Sequence, residues 1–274
     1  MKRTFNLRGG HKLTVGGKTL LMGILNITPD SFSDGGKYFS ADKAMAHAAQ
    51  LIEDGADILD IGAESTRPGS TPVSSDEEIT RLEKVLPAIK TFGVPVSVDT
   101  YKPEVAAQAL ELGADIINDV HGLEDSRMID VAKKFNAPVI AGHCERCSDG
   151  DIIADLQRFF RRTSDTCAAR GLDPAQIIFD PGIGFGKTQE ENWTILRRLG
   201  ELKTLDGCEI PLMLGVSRKS VIGWATGFPV EERDEATGAL CVHAIMQGFD
   251  LLRVHNLAMI SPMCLIIDKL FRET

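Results

Sequence analysis

The feature that most constrains this chain is a unit that recurs eight times: a short apolar run, a polar residue closing it, then an amphipathic stretch. The runs occupy 20–27, 58–62, 95–98, 115–117, 138–141, 177–179, 211–216 and 251–254. Each is rich in Val, Ile or Leu and too short for a buried helix, which is the pattern of strands covered on both faces in a parallel sheet. The runs are approached in two ways. Gly55-Ala56-Asp57, Gly113-Ala114-Asp115 and Gly248-Phe249-Asp250 each end an amphipathic stretch with a glycine suited to a helix C-terminus. Pro95, Pro138 and Pro211 instead stand at strand starts, where a missing N–H costs least.

The intervening stretches read as helices. Ser75 and Glu78 have capping-box spacing ahead of Ile79, Leu82, Leu86 and Ile89 on one helical face. Pro103 suits a first helical turn, Asp125 precedes Met128, Val131, Ala132 and Phe135, and Ser40 precedes Ala44, Ala48, Leu51 and Ile52. Residues 4–17 read as a hairpin around Gly9-Gly10 that covers the bottom of the fold. An open doubly wound sheet also alternates strands and helices. Eight units in about 250 residues, with no Gly-rich dinucleotide turn after the first strand, favour closure. The expectation is an α/β chain forming one (β/α)8 TIM barrel over 19–274, with a short N-terminal hairpin over 1–18.

At 274 residues, with an apolar fraction of 43%, the chain has the size and core of a single barrel. A net charge of −9 disfavours nucleic acid as a partner and points to small substrates. Its hydrophobic stretches are all broken well short of the ~18 residues that span a bilayer, so no membrane partner or export segment is expected. Six cysteines are scattered with no secretory signal, the usage of reduced thiols in the cytoplasm.

In such a barrel the reactive groups sit at the carboxyl ends of the strands. Those positions hold Asn26; Glu64, Thr66 and Arg67; Asp99; Asn118 and Asp119; His143; Asp180; Ser217, Lys219 and Ser220; and Arg253 with His255. Any one of them could simply cap the next helix. Together, Asp99, Asn118 and Asp180 would converge on one desolvated mouth and need polar partners, as a nitrogen-rich heterocycle would supply. Arg67, Lys219, Arg253 and His255 would gather cationic groups there, suited to phosphate. Two motifs lead elsewhere. Gly182 to Thr188 resembles a phosphate loop, but Pro181 stands where the Walker pattern requires glycine. Cys144 and Cys147 form a C-x-x-C with no second pair to complete a zinc site, and read as loop thiols.

From about residue 20 to 270 the chain resembles the dihydropteroate synthases. Gly23-Ile24-Leu25-Asn26-Ile27-Thr28-Pro29-Asp30-Ser31-Phe32-Ser33-Asp34-Gly35-Gly36 is similar to the family's first motif, and Asp60-Ile61-Gly62-Ala63-Glu64-Ser65-Thr66-Arg67-Pro68-Gly69 to its second. Val98-Asp99-Thr100, Ile117-Asn118-Asp119-Val120, the segment from Asp180 to Lys187, Ser217-Arg218-Lys219-Ser220 and Arg253-Val254-His255 follow in family order.

The resemblance implies a folate-pathway transferase, a sulfonamide target, that condenses (7,8-dihydropterin-6-yl)methyl diphosphate with 4-aminobenzoate. It places the pterin on Asp99, Asn118, Asp180, Phe185, Lys219 and Arg253. The diphosphate falls to Asn26, Thr66, Arg67, Arg253 and His255, with Mg2+ on Asn26, and the aminobenzoate to Phe32, Pro68 and Ser220. Asp34, Arg67 and Lys219 are the implied catalytic groups. Loss of diphosphate would leave a pterin methylene cation for the amine to capture, and the family implies a homodimer. An excess of apolar residues on the last helix (Ile260, Met263, Leu265, Ile266, Ile267 and Leu270) agrees with pairing, or with plain packing on the barrel. Two departures stand out: Gly142-His143-Cys144-Glu145-Arg146 replaces a Met-His-Met-x-Gly run, and Asn256 replaces an Asp. A pterin-binding barrel that transfers methyl groups to a corrinoid protein, and a barrel that binds without turnover, are the competing readings; the first lacks the two loop motifs.

Overall fold

The computed structural model describes residues 2–28, 41–64, 71–147 and 150–272. Eight parallel strands form one sheet: β1 (Leu20–Asn26), β2 (Ile58–Gly62), β3 (Val96–Asp99), β4 (Ile116–Asp119), β5 (Val139–Gly142), β6 (Ile177–Asp180), β7 (Met213–Leu214) and β8 (Leu251–Val254). They are ordered β7-β8-β1-β2-β3-β4-β5-β6. A parallel bridge between Phe179 and Leu212 joins the two ends, so the sheet closes into the expected (β/α)8 barrel. Helices follow each strand: α1 (Ala41–Glu53), α2 (Ser75–Ile89), α3 (Pro103–Glu111), α4 (Arg127–Phe135), α5 (Ile152–Arg170), α6 (Gln189–Arg197), then α7 (Ser220–Thr226) with α8 (Asp234–Met246), and α9 (Leu257–Phe271).

Side chains alternate along every strand, and the two faces have separate cores. Outward residues such as Leu59, Ile61, Val98, Ile117 and Val139 pack with the helices. Inward residues Met22, Ile58, Ile116, Ile140, Ile178, Met213 and Leu251 fill the barrel floor. There they meet Phe5, Leu7, Leu13 and Val15 from an antiparallel hairpin of Arg3–Asn6 and Lys12–Val15. Going two residues further up the inward face changes the chemistry: Ile58 leads to Asp60, Ile116 to Asn118, Ile178 to Asp180 and Leu251 to Arg253.

Several local expectations need correction. Ser74, not Ser75, caps α2: its backbone is extended and its side chain accepts from Glu77 N. Asp125 does accept from Arg127 N at 3.0 Å, but Ser126 occupies the N-cap position of α4. Ser40 lies outside the described residues. Pro95, Pro138 and Pro211 stand just before their strands, and the 211–216 run contributes only two strand residues, which is why a single bridge makes the closure. A small hairpin of Thr204–Leu205 and Cys208–Glu209 turns through Asp206 and Gly207, both at positive φ, a geometry suited to a tight two-residue turn.

Candidate active site

Arg253 is the hub of the mouth. Its Nε donates to Asp60 Oδ2 and its Nη2 to Asp99 Oδ2, each at 2.6 Å. Asn118 Nδ2 donates to the same Asp60 oxygen at 3.1 Å. Strands β2, β3, β4 and β8 each contribute one inward residue to this cluster. Burial opposes charge on the guanidinium, but Asp60 and Asp99 outweigh it and hold its pKa above the ordinary value. Burial also pushes the Asp99 carboxyl up to about 7, against the pull of Arg253. Asp60 Oδ1 and Asp99 Oδ1 are buried with no hydrogen-bond donor among the described residues. Buried acceptors of that kind are costly unless something completes them.

A second group sits beside the first. Asp180 Oδ1 accepts from Gly182 N at 2.8 Å, and burial raises its carboxyl above the usual range. Lys219 Nζ donates to Ile183 O at 2.5 Å and lies 4.4 Å from the centre of the Phe185 ring. Burial lowers the ammonium to about 8, with Asp180 resisting the shift. Gly215 permits this packing, since a Cβ there would lie 3.3 Å from Asp180 Oδ2. His255 Nδ1 and Ser217 Oγ are 2.9 Å apart. Asn26 closes β1 with its Oδ1 against Gly62, 3.2 Å from where a Cβ would stand. Ser220 is exposed at the start of α7.

Thus Asp99, Asn118, Asp180, Phe185, Lys219 and Arg253 share one end of the barrel, with Asn26 and His255 at the same strand ends. Phe32, Asp34, Thr66, Arg67 and Pro68 lie outside the described residues. Three strand-end candidates serve the scaffold instead. Asp119 faces outward and accepts from His121 N and Leu123 N, fixing the turn after β4. Glu64 accepts from Tyr101 Oη and Val73 N and pairs with Lys102. His143 is fully buried with its ring edge-on to Phe159, and burial lowers its pKa to about 3, so it carries no charge. Asp60 is the residue that strand-end reasoning missed. The available signal was an acidic residue in the middle of an apolar run, two positions from Ile58.

The departure at Asn256 has a structural account. Its Oδ1 caps α9 by accepting from Met259 N, and its Nδ2 donates to Asp234 Oδ2 at 2.8 Å. Asp234 in turn takes a two-pronged pair from Arg218, at 2.6 and 2.7 Å. A carboxylate at 256 would face Asp234, whereas the amide completes the network.

A closed parallel barrel with buried polar groups at the carboxyl ends of its strands defines a (β/α)8-barrel enzyme. The sequence model of the pterin binding enzyme family matches residues 22–255. The dihydropteroate synthase of Bacillus subtilis (strain 168) is 45% identical over 260 residues, 93% of this chain and 90% of that protein. Among solved structures, dihydropteroate synthase from Clostridium difficile in the presence of pteroic acid superposes with a TM-score of 0.89 at 41% identity, covering 94% of this chain and 99% of that one. The Xanthomonas albilineans enzyme with 4-aminobenzoic acid gives 0.92 at 36% identity, covering 98% of each chain. The chain belongs to the pterin-binding enzymes and, among them, to the dihydropteroate synthases. Membership of the dihydropteroate synthases sets aside the methyl-transfer reading, and a transferase is not a barrel that binds without turnover.

Proposed function

We propose that the mouth joins (7,8-dihydropterin-6-yl)methyl diphosphate to 4-aminobenzoate, giving 7,8-dihydropteroate and diphosphate. The observation that carries this reading is the inward polar cluster of Asp60, Asp99, Asn118, Asp180, Lys219 and Arg253, with acceptor oxygens left open on Asp60 and Asp99. A pterin ring presents N–H and NH2 donors along one edge and acceptors beside them, and carboxylates, an amide and an ammonium complement that edge. The Arg253 guanidinium, clamped flat by two carboxylates, offers a face to the ring.

The diphosphate is assigned to Asn26, Thr66, Arg67, Arg253 and His255, and the aminobenzoate to Phe32, Pro68 and Ser220. Asn26 suits Mg2+ in its donor chemistry: a neutral amide oxygen at a strand end leaves most coordination positions to water and phosphate oxygens. When bound there, Mg2+ would offset charge on the leaving diphosphate. The chain's own groups orient the pterin, place Arg253 and His255 beside the departing oxygens, and exclude water. The bond from the pterin methylene to the diphosphate oxygen breaks with its electron pair leaving on diphosphate. The aminobenzoate nitrogen then bonds to the methylene and loses a proton. Asp34 is assigned to shielding the intermediate cation and Lys219 to holding the ring that bears it.

Purified protein with both substrates and Mg2+ tests the reading; no diphosphate release at saturation would overturn it. Positional isotope exchange in the diphosphate without amine tests the discrete cation, and complete absence of exchange would count against it. Sulfonamides are expected to compete with 4-aminobenzoate. We also assign a homodimer, supported by Met246, Leu265, Ile266, Leu270 and Phe271, all at least half exposed on α8 and α9. Light scattering that gives a monomer mass would refute it.

A further inference from the structure

The segment from Gly182 to Thr188 looks like a phosphate loop in sequence, yet its lysine is occupied elsewhere. Lys187 Nζ donates to three backbone carbonyls: His143 O at 2.8 Å, Gly182 O at 3.0 Å and Phe185 O at 3.0 Å. An ammonium has three N–H donors, so none is left for a phosphate. The turn it grips, closed by Phe185 N donating to Gly182 O at 3.1 Å, carries Phe185 and the Ile183 carbonyl to the mouth. Lys219 donates to that carbonyl and lies over the Phe185 ring. Two ammonium groups thus hold one turn, Lys187 through the Gly182 and Phe185 carbonyls and Lys219 through that of Ile183.

The turn touches the loop after β5 backbone to backbone. A Cβ at Gly182 would lie 1.9 Å from His143 O, and one at Gly186 would lie 2.2 Å from Cys144 O; both glycines have positive φ, near +65°. Carbonyl dipoles that converge from two loops repel one another unless a cation lies between them. Asn192 completes the cradle by accepting from Gly184 N at 2.8 Å. The loop that departs from the family pattern therefore supports the pocket through its carbonyls, which any side chain at 144 or 145 would supply.

We propose that Lys187 is a positioning residue for pterin recognition: by bridging three carbonyls it fixes the 182–185 turn on the loop after β5, and so sets Phe185 and the Ile183 carbonyl that orient Lys219. This rests on the reading that Asp180, Phe185 and Lys219 hold the pterin. The test is Lys187→Met in the full chain with Mg2+. Steady-state kinetics would give both KM values, and calorimetric titration with 6-hydroxymethyl-7,8-dihydropterin the ring affinity alone. The expected result is a rise of about ten-fold or more in the pterin KM and in the Kd of the free pterin, with the aminobenzoate KM within about two-fold. A lower Tm with unchanged pterin Kd would overturn the proposal and leave Lys187 a stability residue. Wild-type protein that fails to bind the pterin would overturn the site reading itself, and this inference with it. If Lys187→Met does not fold, Asn192→Ala loosens the same turn at Gly184: a selective loss of pterin affinity supports the proposal, and unchanged affinity sinks it.

Discussion

The floor and the mouth of this barrel are built on the same strands, two residues apart, yet they obey opposite rules. On the floor, Met22, Ile58, Ile116, Ile178 and Leu251 meet Phe5, Leu7, Leu13 and Val15 in a closed apolar cluster. At the mouth, the next inward residues of β2, β4, β6 and β8 are Asp60, Asn118 and Asp180, buried, and Arg253, partly buried, all at a desolvation cost. The floor gains from every methylene removed from water, whereas the mouth accepts that cost to keep oriented donors and acceptors ready for a polar ligand. Stability and recognition are thereby separated along the barrel axis.

Substitutions at the two ends should separate in turnover and pterin affinity, and in stability wherever no buried ion pair is broken. The largest effect is expected from Arg253→Met, which leaves the buried Asp60 and Asp99 carboxyls without their partner. Roughly 3–5 kcal/mol of stability should be lost, with turnover down by about 10³-fold or more; urea denaturation and diphosphate release measure the two. Phe5→Ala should cost about 3–5 kcal/mol of stability, while the kinetics of the folded fraction stay unchanged. A change in pterin KM there would break the separation.

Asp180→Asn works the other way round. Burial raises this carboxyl, so ionising it opposes folding, and an amide that cannot ionise should hold stability within about 1 kcal/mol. Pterin affinity should nevertheless fall by about 10²-fold. A large drop in denaturation midpoint would show that Asp180, like Arg253, also carries the fold.

Pterin affinity should also follow a bell in pH. Its alkaline limb lies near 8, where Lys219 and Lys187, both lowered by burial, lose their protons. Its acid limb lies above the ordinary carboxylate range, where the raised Asp99 and Asp180 carboxyls take protons up. A flat affinity between about pH 5 and 9 would contradict this assignment. The smallest effect is expected from Asn256→Asp. It keeps a capping oxygen but exchanges the hydrogen bond to Asp234 for repulsion, about 1 kcal/mol in denaturation.

Much of this was legible before any coordinates. Short apolar runs closed by polar residues locate the strands to within a residue or two, and the strand ends hold Asp99, Asn118, Asp180 and Arg253. Strand-end position alone could not separate Asn118 from Asp119. Neighbours on a strand point to opposite faces, and only the inward parity set by Ile116 assigns the first to the mouth and the second to a turn. Asp60 was overlooked because it sits inside a run rather than at its end. Lys187 carried a misleading motif, since a lysine after glycines suggests phosphate until its three donors are accounted for.

The sequence by itself determined the alternation of strands and helices, the order of the barrel and the chemical types at its rim. These follow from local periodicity and from motifs contiguous in the chain. Tertiary structure alone decided which charges pair. Arg253 meets Asp60 and Asp99 across 193 and 154 residues of chain, and Lys187 reaches His143 O across 44. Such contacts form only when closure brings distant strand ends to one mouth, where low dielectric makes each pairing strong and each omission costly.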